Sequence, residues 1–271
     1  MKNFVYILVL GLLLNSCSEY QKALRSEDIG EKYNLGTELF EAGKYAKANR
    51  LFAQIVPQYR GKPQAEKLMY MYAKSFYEMK DYYLAGYQFE RFESAYPRSE
   101  KAEEASFYSA KSYYELSPVY SKDQKETYQA LEKLQIFLSK YPDSKFLPEV
   151  NKMVNELDFK LEKKAFEIAL QYNKIAYYET SDYEAAIKSF ETFLIDFPGS
   201  SFREDAMFYR LDSAYTLAVN SVQHKKEKRL QQAIDYYKAF IKNYPESKNA
   251  ETANQMNKEM QLQLQSFNTK S

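Results

Sequence analysis

The chain has 271 residues, with 38 basic residues against 37 acidic ones, 7 glycines, 8 prolines, one cysteine and one histidine. So even a balance gives no electrostatic case for nucleic-acid binding. A single cysteine excludes an intrachain disulfide, and no His/Cys cluster or Gly-rich phosphate loop is present, so neither a metal nor any other cofactor is expected. Tyrosine is abundant (27) and tryptophan absent, a composition that suits stacked helices or an aromatic contact surface.

Residues 1–16 read as a signal peptide to be set apart from the fold. Lys2 is followed by an apolar run from Phe4 to Leu14, too short to span a bilayer as a helix. Leu14-Asn15-Ser16-Cys17 resembles the bacterial lipobox, which implies that Cys17 becomes the acylated first residue of the mature chain. A diacylglyceryl group with an amide-linked chain meets the requirement for stable anchoring. Ser18, rather than Asp, after the cysteine implies sorting to the outer membrane by the enterobacterial rule. The lone acid Glu19 favours the periplasmic side. Residues 17–30 are polar and are expected to be a lipidated tether.

One stripe then recurs: Ala48, Phe52, Ile55, Tyr59; Ala85, Phe89, Phe92, Tyr96; Ala130, Leu134, Phe137, Tyr141; Ala186, Phe190, Phe193, Phe197; and Ala233, Tyr237, Phe240, Tyr244. The offsets i, i+4, i+7, i+11 define one face of an α-helix. In four copies a proline follows and ends the helix, whereas Arg60 stands in the first. Ser99, Ser144, Ser200 and Ser247 come two residues after those prolines and are expected to N-cap the next helix. Five helix–stop–cap units indicate an all-α repeat protein.

The helices come in pairs. Tyr33 to Ala42, a turn at Gly43-Lys44, and Tyr45 to Tyr59 make the first. With Gly36, Leu39, Tyr45, Ala48 and Phe52 in register, and Ala73, Phe76, Tyr82, Ala85, Phe89 and Pro97 in the next copy, the pairs resemble the tetratricopeptide (TPR) repeat. The expected fold is an α-solenoid of about five TPR-like pairs: residues 31–146 as repeats one to three, 147–248 as repeats four and five, and 249–271 as a capping helix and tail. Pro148 to Tyr178 reads as one long helix or two nearly continuous ones. Ser117 to Lys125 and the basic Asn220 to Arg229 read as loops.

Catalysis finds no seat. His224 lies in a charged run, and Glu103-Glu104 are neighbours that point to different helix faces, so the chain is expected to be a non-enzyme. Binding is better supported. In TPR-like arrays the first helix of each pair lines the concave side, which selects Tyr33, Thr37, Phe40, then Tyr70, Lys74, Tyr77, then Phe107, Lys111, Tyr114. Each set is one i, i+4, i+7 stripe. Rings can hold apolar side chains of an extended peptide and an ammonium its carboxylate.

The whole pattern resembles the BamD family, outer-membrane β-barrel assembly lipoproteins. The likeness covers nearly all of the mature chain and is best at Leu138 to Ser144 and at Tyr172 to Pro198, including Tyr177-Tyr178-Glu179. It departs at the missing first proline and at the long insert before repeat four. The resemblance implies a scaffold on the periplasmic face of the outer membrane. Its C-terminal repeats would hold a POTRA domain of the BamA-like barrel insertase, and its N-terminal repeats would receive the C-terminal signals of unfolded barrel proteins. Two other readings remain open: a different TPR lipoprotein adapting division or peptidoglycan proteins, and a glycan-uptake lipoprotein, which the absence of Trp disfavours.

Overall fold

The computed structural model describes residues 19–176 and 181–268. The expected leader, Cys17 and Tyr177-Tyr178-Glu179 lie outside them. Among the described residues the fold is helices and turns alone, with no strand, an all-α TPR-like solenoid.

The helices are α1 (Ile29–Glu41), α2 (Tyr45–Ile55) with a 3-10 turn (Val56–Tyr59), α3 (Ala65–Glu78), α4 (Tyr82–Ala95), α5 (Ala102–Leu116), α6 (Lys125–Lys140), α7 (Leu147–Ile175), α8 (Ser181–Asp196), α9 (Arg203–Val219), α10 (Gln223–Asn243) and α11 (Ala250–Asn268). Local chemistry sets their ends. The Asp28 carboxylate accepts from the amides of Gly30 (2.7 Å) and Glu31 (3.2 Å) at the start of α1, relieving two orphan donors. Gly43 turns with φ +70° after α1, and Lys44 N donates to Leu39 O at 2.8 Å, closing the helix end. Repeat two makes the same turn with Lys80 at φ 62°.

The chain divides into two compact units. Unit one holds residues up to Pro118 plus Asp123–Leu157, and unit two holds Val119–Lys122 and the chain from Asp158 on. In unit one, three apolar clusters follow in order. The first centres on Ala48, Leu51, Phe52 and Ile55, the second on Ala85, Phe89 and Phe92, the third on Ala130, Leu134 and Phe137. Tyr72 and Tyr96 pack against both the first and second clusters, and Tyr108 against both the second and third, so one core runs through the repeats. In unit two, Phe190, Phe193 and Phe240 are buried with Phe166, Ala169 and Leu211. Tyr237 is half-buried against that core, and its hydroxyl reaches Asn254 Oδ1 on α11 at 2.7 Å. With Ala253 and Met260 buried, α11 closes this unit's apolar face.

Four expectations change. Residues 19–25, expected as free tether, are helical and bury Tyr20 (7% exposed) and Ala23 (1%) in the first cluster. The helix expected to reach Tyr59 ends at Ile55, because Pro57 lacks the amide to continue it; Tyr59 still buries its ring from the 3-10 turn. Only residues 220–222 separate α9 from α10, so the charged segment expected as loop is the first two turns of a helix. The serines after the prolines are not N-caps. Ser99 and Ser144 sit two residues ahead of the caps, Ser99 Oγ accepting from Lys101 N (3.0 Å) and Ser144 Oγ from Phe146 N (3.0 Å). The hydroxyls of Ser99, Ser144 and Ser247 donate instead to a glutamate in the first turn of their own repeat's first helix. Ser99 reaches Glu66, Ser144 reaches Glu103 and Ser247 reaches Glu204, all at 2.6 Å. The long segment before repeat four is one helix of 29 residues.

Candidate peptide-binding surface

The expected groove residues all lie in unit one, on α1, α3 and α5. In repeat one the three side chains face their own helix pair. Tyr33 stacks on Tyr59 with centroids 5.3 Å apart. The Thr37 hydroxyl donates to Tyr33 O at 2.9 Å. Phe40 packs edge-on to Tyr45 at 5.4 Å.

Repeats two and three form a continuous aromatic–cationic set. Lys74 lies with its Nζ 3.6 Å from the Tyr108 ring centroid and 4.8 Å from that of Tyr77, and pairs with Glu78 at 2.9 Å. Tyr77 meets Tyr108 edge-on at 4.8 Å. Lys111 Nζ lies 5.5 Å over the Phe107 ring and pairs with Glu149 at 2.6 Å. Tyr70 packs edge-on to Phe89 and Phe92. Phe107 itself is 2% exposed and stacks on Phe146 at 4.1 Å, so it supports the surface from below and offers no face to a ligand. Tyr114 donates to Glu156.

The ammonium groups are partly sheltered, with side-chain exposures of 17% for Lys74 and 24% for Lys111. Burial alone would lower the Lys111 pKa, but Glu149 and Tyr77 outweigh it and hold it above the ordinary lysine value. Lys111 therefore stays charged. Burial, with Glu104 beside its hydroxyl, pushes Tyr70 up. Burial pushes Tyr77 up to about 12, and the hydrogen bond to Glu156, then burial, does the same for Tyr114. A phenol whose folded pKa lies above its unfolded value stabilises the fold below about pH 10. That contribution is lost as pH rises from there through the folded value, because the unfolded chain sheds the proton first. The unfolding midpoint is therefore expected to fall between about pH 10 and 12. The double variant Tyr77→Phe, Tyr114→Phe should flatten that fall in pH-dependent denaturant melts, and an unchanged slope would assign it elsewhere.

Spacing alone found the lysines and the rings but missed Tyr108, Glu149 and Glu156. Tyr108 sits beside the Phe107 stripe, between Lys74 and Phe89, which it stacks on at 5.5 Å. Glu149 and Glu156 are i and i+7 on α7, one face of a helix, a signal open to reading once α7 was placed beside α5.

The family model for YfiO, described as outer membrane lipoprotein, matches residues 26–176 and 174–266. A search of curated proteins finds no match. The matched ranges take in every helix pair from α1 to α10 and most of α11, so the chain belongs to the YfiO outer membrane lipoprotein family.

Proposed function

We propose that this chain is a BamD-like scaffold of the outer-membrane β-barrel assembly machinery, anchored through Cys17 at the periplasmic face and without catalytic activity. Unit two, with repeats four and five, holds a POTRA domain of the barrel insertase. Unit one receives the C-terminal segment of unfolded barrel proteins. Membership of an outer membrane lipoprotein family supports the setting. The observation that carries the binding reading is the Tyr70–Lys74–Tyr77–Tyr108–Lys111 set, in which two lysine side-chain amines lie among half-buried rings. A terminal carboxylate preceded by an aromatic residue satisfies both parts of such a surface.

The decisive experiment is an affinity pull-down of a C-terminally tagged chain from detergent-solubilised outer membranes, read by mass spectrometry. A POTRA-bearing insertase is expected in near-equal amount. Division or peptidoglycan proteins in its place would discard the assembly role. For the surface itself, Lys74→Gln with Lys111→Gln is expected to weaken binding of barrel C-terminal peptides about tenfold or more, the scale of a charge-assisted hydrogen bond. Equal affinity in fluorescence titration would remove the lysines from the site.

A further inference from the structure

The mature chain is electrically neutral, yet its charge is not evenly spread. From Ala42 to Ala65 there is no acidic residue, while Lys44, Lys47, Arg50, Arg60 and Lys62 all fall in that stretch. Lys44, at the N-cap of α2, and Lys47 and Arg50 within it are spaced i, i+3, i+6 and are exposed. The helical residues 19–25 lie against them, because Lys47 Nζ sits 5.3 Å over the Tyr20 ring. That helix adds the exposed Lys22 and Arg25, so five cations from two helices gather at the start of the array. Among the described residues no carboxylate lies within ion-pair distance of any of the five, whereas Lys74, Lys111, Lys133, Lys140 and Arg229 are paired. The acids nearest in sequence are Glu19, Glu27, Asp28, Glu31, Glu38 and Glu41, and Asp28 is turned to the amides of Gly30 and Glu31 instead.

The second observation is how near this basic face lies to Cys17 in the sequence. The helical residues 19–25 bury Tyr20 and Ala23 in the first core cluster. Cys17 is two residues earlier. Acyl chains on Cys17 would therefore lie three residues from the buried Tyr20, a reach of roughly 10 Å at most. Whatever face repeat one turns toward the bilayer is held against it.

We infer that the basic face formed by Lys22, Arg25, Lys44, Lys47 and Arg50 docks on the anionic headgroups of the lipid surface into which Cys17 is anchored. The inference rests on the anchor reading of Cys17. Acyl chains and a polybasic patch reinforce each other, and each basic residue close to an anionic surface strengthens binding severalfold. The docked face fixes the orientation of repeat one at the membrane, which acyl chains alone leave free.

The test uses the mature chain with Cys17→Ser, so that headgroup contact is read without the anchor. Co-sedimentation is measured with phosphatidylcholine vesicles with and without phosphatidylglycerol. Binding to the anionic vesicles is expected, weakening as salt shortens the screening length. Lys44→Gln, Lys47→Gln and Arg50→Gln together should reduce it at least tenfold. Lys225→Gln, Lys226→Gln and Lys228→Gln on α10 make the same charge change and should leave it unaltered. Equal loss in both triple variants, equal binding to neutral vesicles, or no binding would each overturn the inference, the last also if the chain instead captures an acidic protein. The anchor reading is tested apart, by the intact mass of protein made with its leader. An unmodified Cys17 there would overturn that reading whatever the vesicles show.

Discussion

Phe89→Ala is expected to cost about 3–5 kcal/mol of stability, the range for truncating a buried aromatic side chain. Phe89 is fully buried. Its ring stacks on Tyr108 of α5 and meets Tyr70 of α3 edge-on, so one side chain fills the space between two successive repeats. Its removal takes contacts from both, and neither partner can collapse inward, since each ring is fixed by further contacts to Tyr77 and Phe92. A urea melt reads the effect as a fall in midpoint at constant slope. A loss below about 1 kcal/mol, the size of an ordinary surface change, would mean that the stripe does not line a packed interior.

Gly36 offers a sharper test, because two principles predict opposite signs. Helix propensity alone makes Gly→Ala in a helix a gain of about 1 kcal/mol. Yet a Cβ built at Gly36 would stand 2.6 Å and 3.0 Å from two ring carbons of Phe52, and Phe52 is itself fully buried. Gly36→Ala is therefore expected to destabilise, and Gly36→Leu to cost about 2–3 kcal/mol, the upper range for overpacking a core. Phe52→Leu combined with Gly36→Ala should recover part of the loss in a double-mutant cycle. A stabilised Gly36→Ala would show that the ring yields freely. Repeats two and three place Ala73 and Ala110 at the matching position, both buried, so of these three repeats the first alone goes down to glycine there.

The helices were legible because their buried faces repeat. Phe52, Phe89, Leu134, Phe190 and Phe240 could be placed inward from spacing alone, and all are fully buried. What spacing could not reveal were features without an apolar period. Residues 19–25 bury only Tyr20 and Ala23, too few for a periodic signal. The segment 223–229 has no apolar stripe and is helical through the propensity of its Gln, Lys, Glu and Arg residues. The serines looked like caps because their true partners lie far away in sequence. The surface divides in the same way: Lys74 and Lys111 followed from one helix each, whereas Glu149 and Tyr108 emerged only with the neighbouring helices in place.

The serine–glutamate bond has a consequence for how the chain can change in length. Ser99 to Glu66, Ser144 to Glu103 and Ser247 to Glu204 each join the entrance of a repeat to its exit, at one end of the helix hairpin, with sequence separations of 33, 41 and 43 residues and one bond length, 2.6 Å. The opposite end of the hairpin takes up the difference, as a longer loop at residues 117–124 between α5 and α6 and as longer helices either side of residues 220–222 in α9 and α10. Because closing a loop grows costlier only with the logarithm of its length, residues can be gained or lost at the tips while each hairpin stays clasped at its base. The tips are thus where such a chain can diversify its contacts without renegotiating the stack.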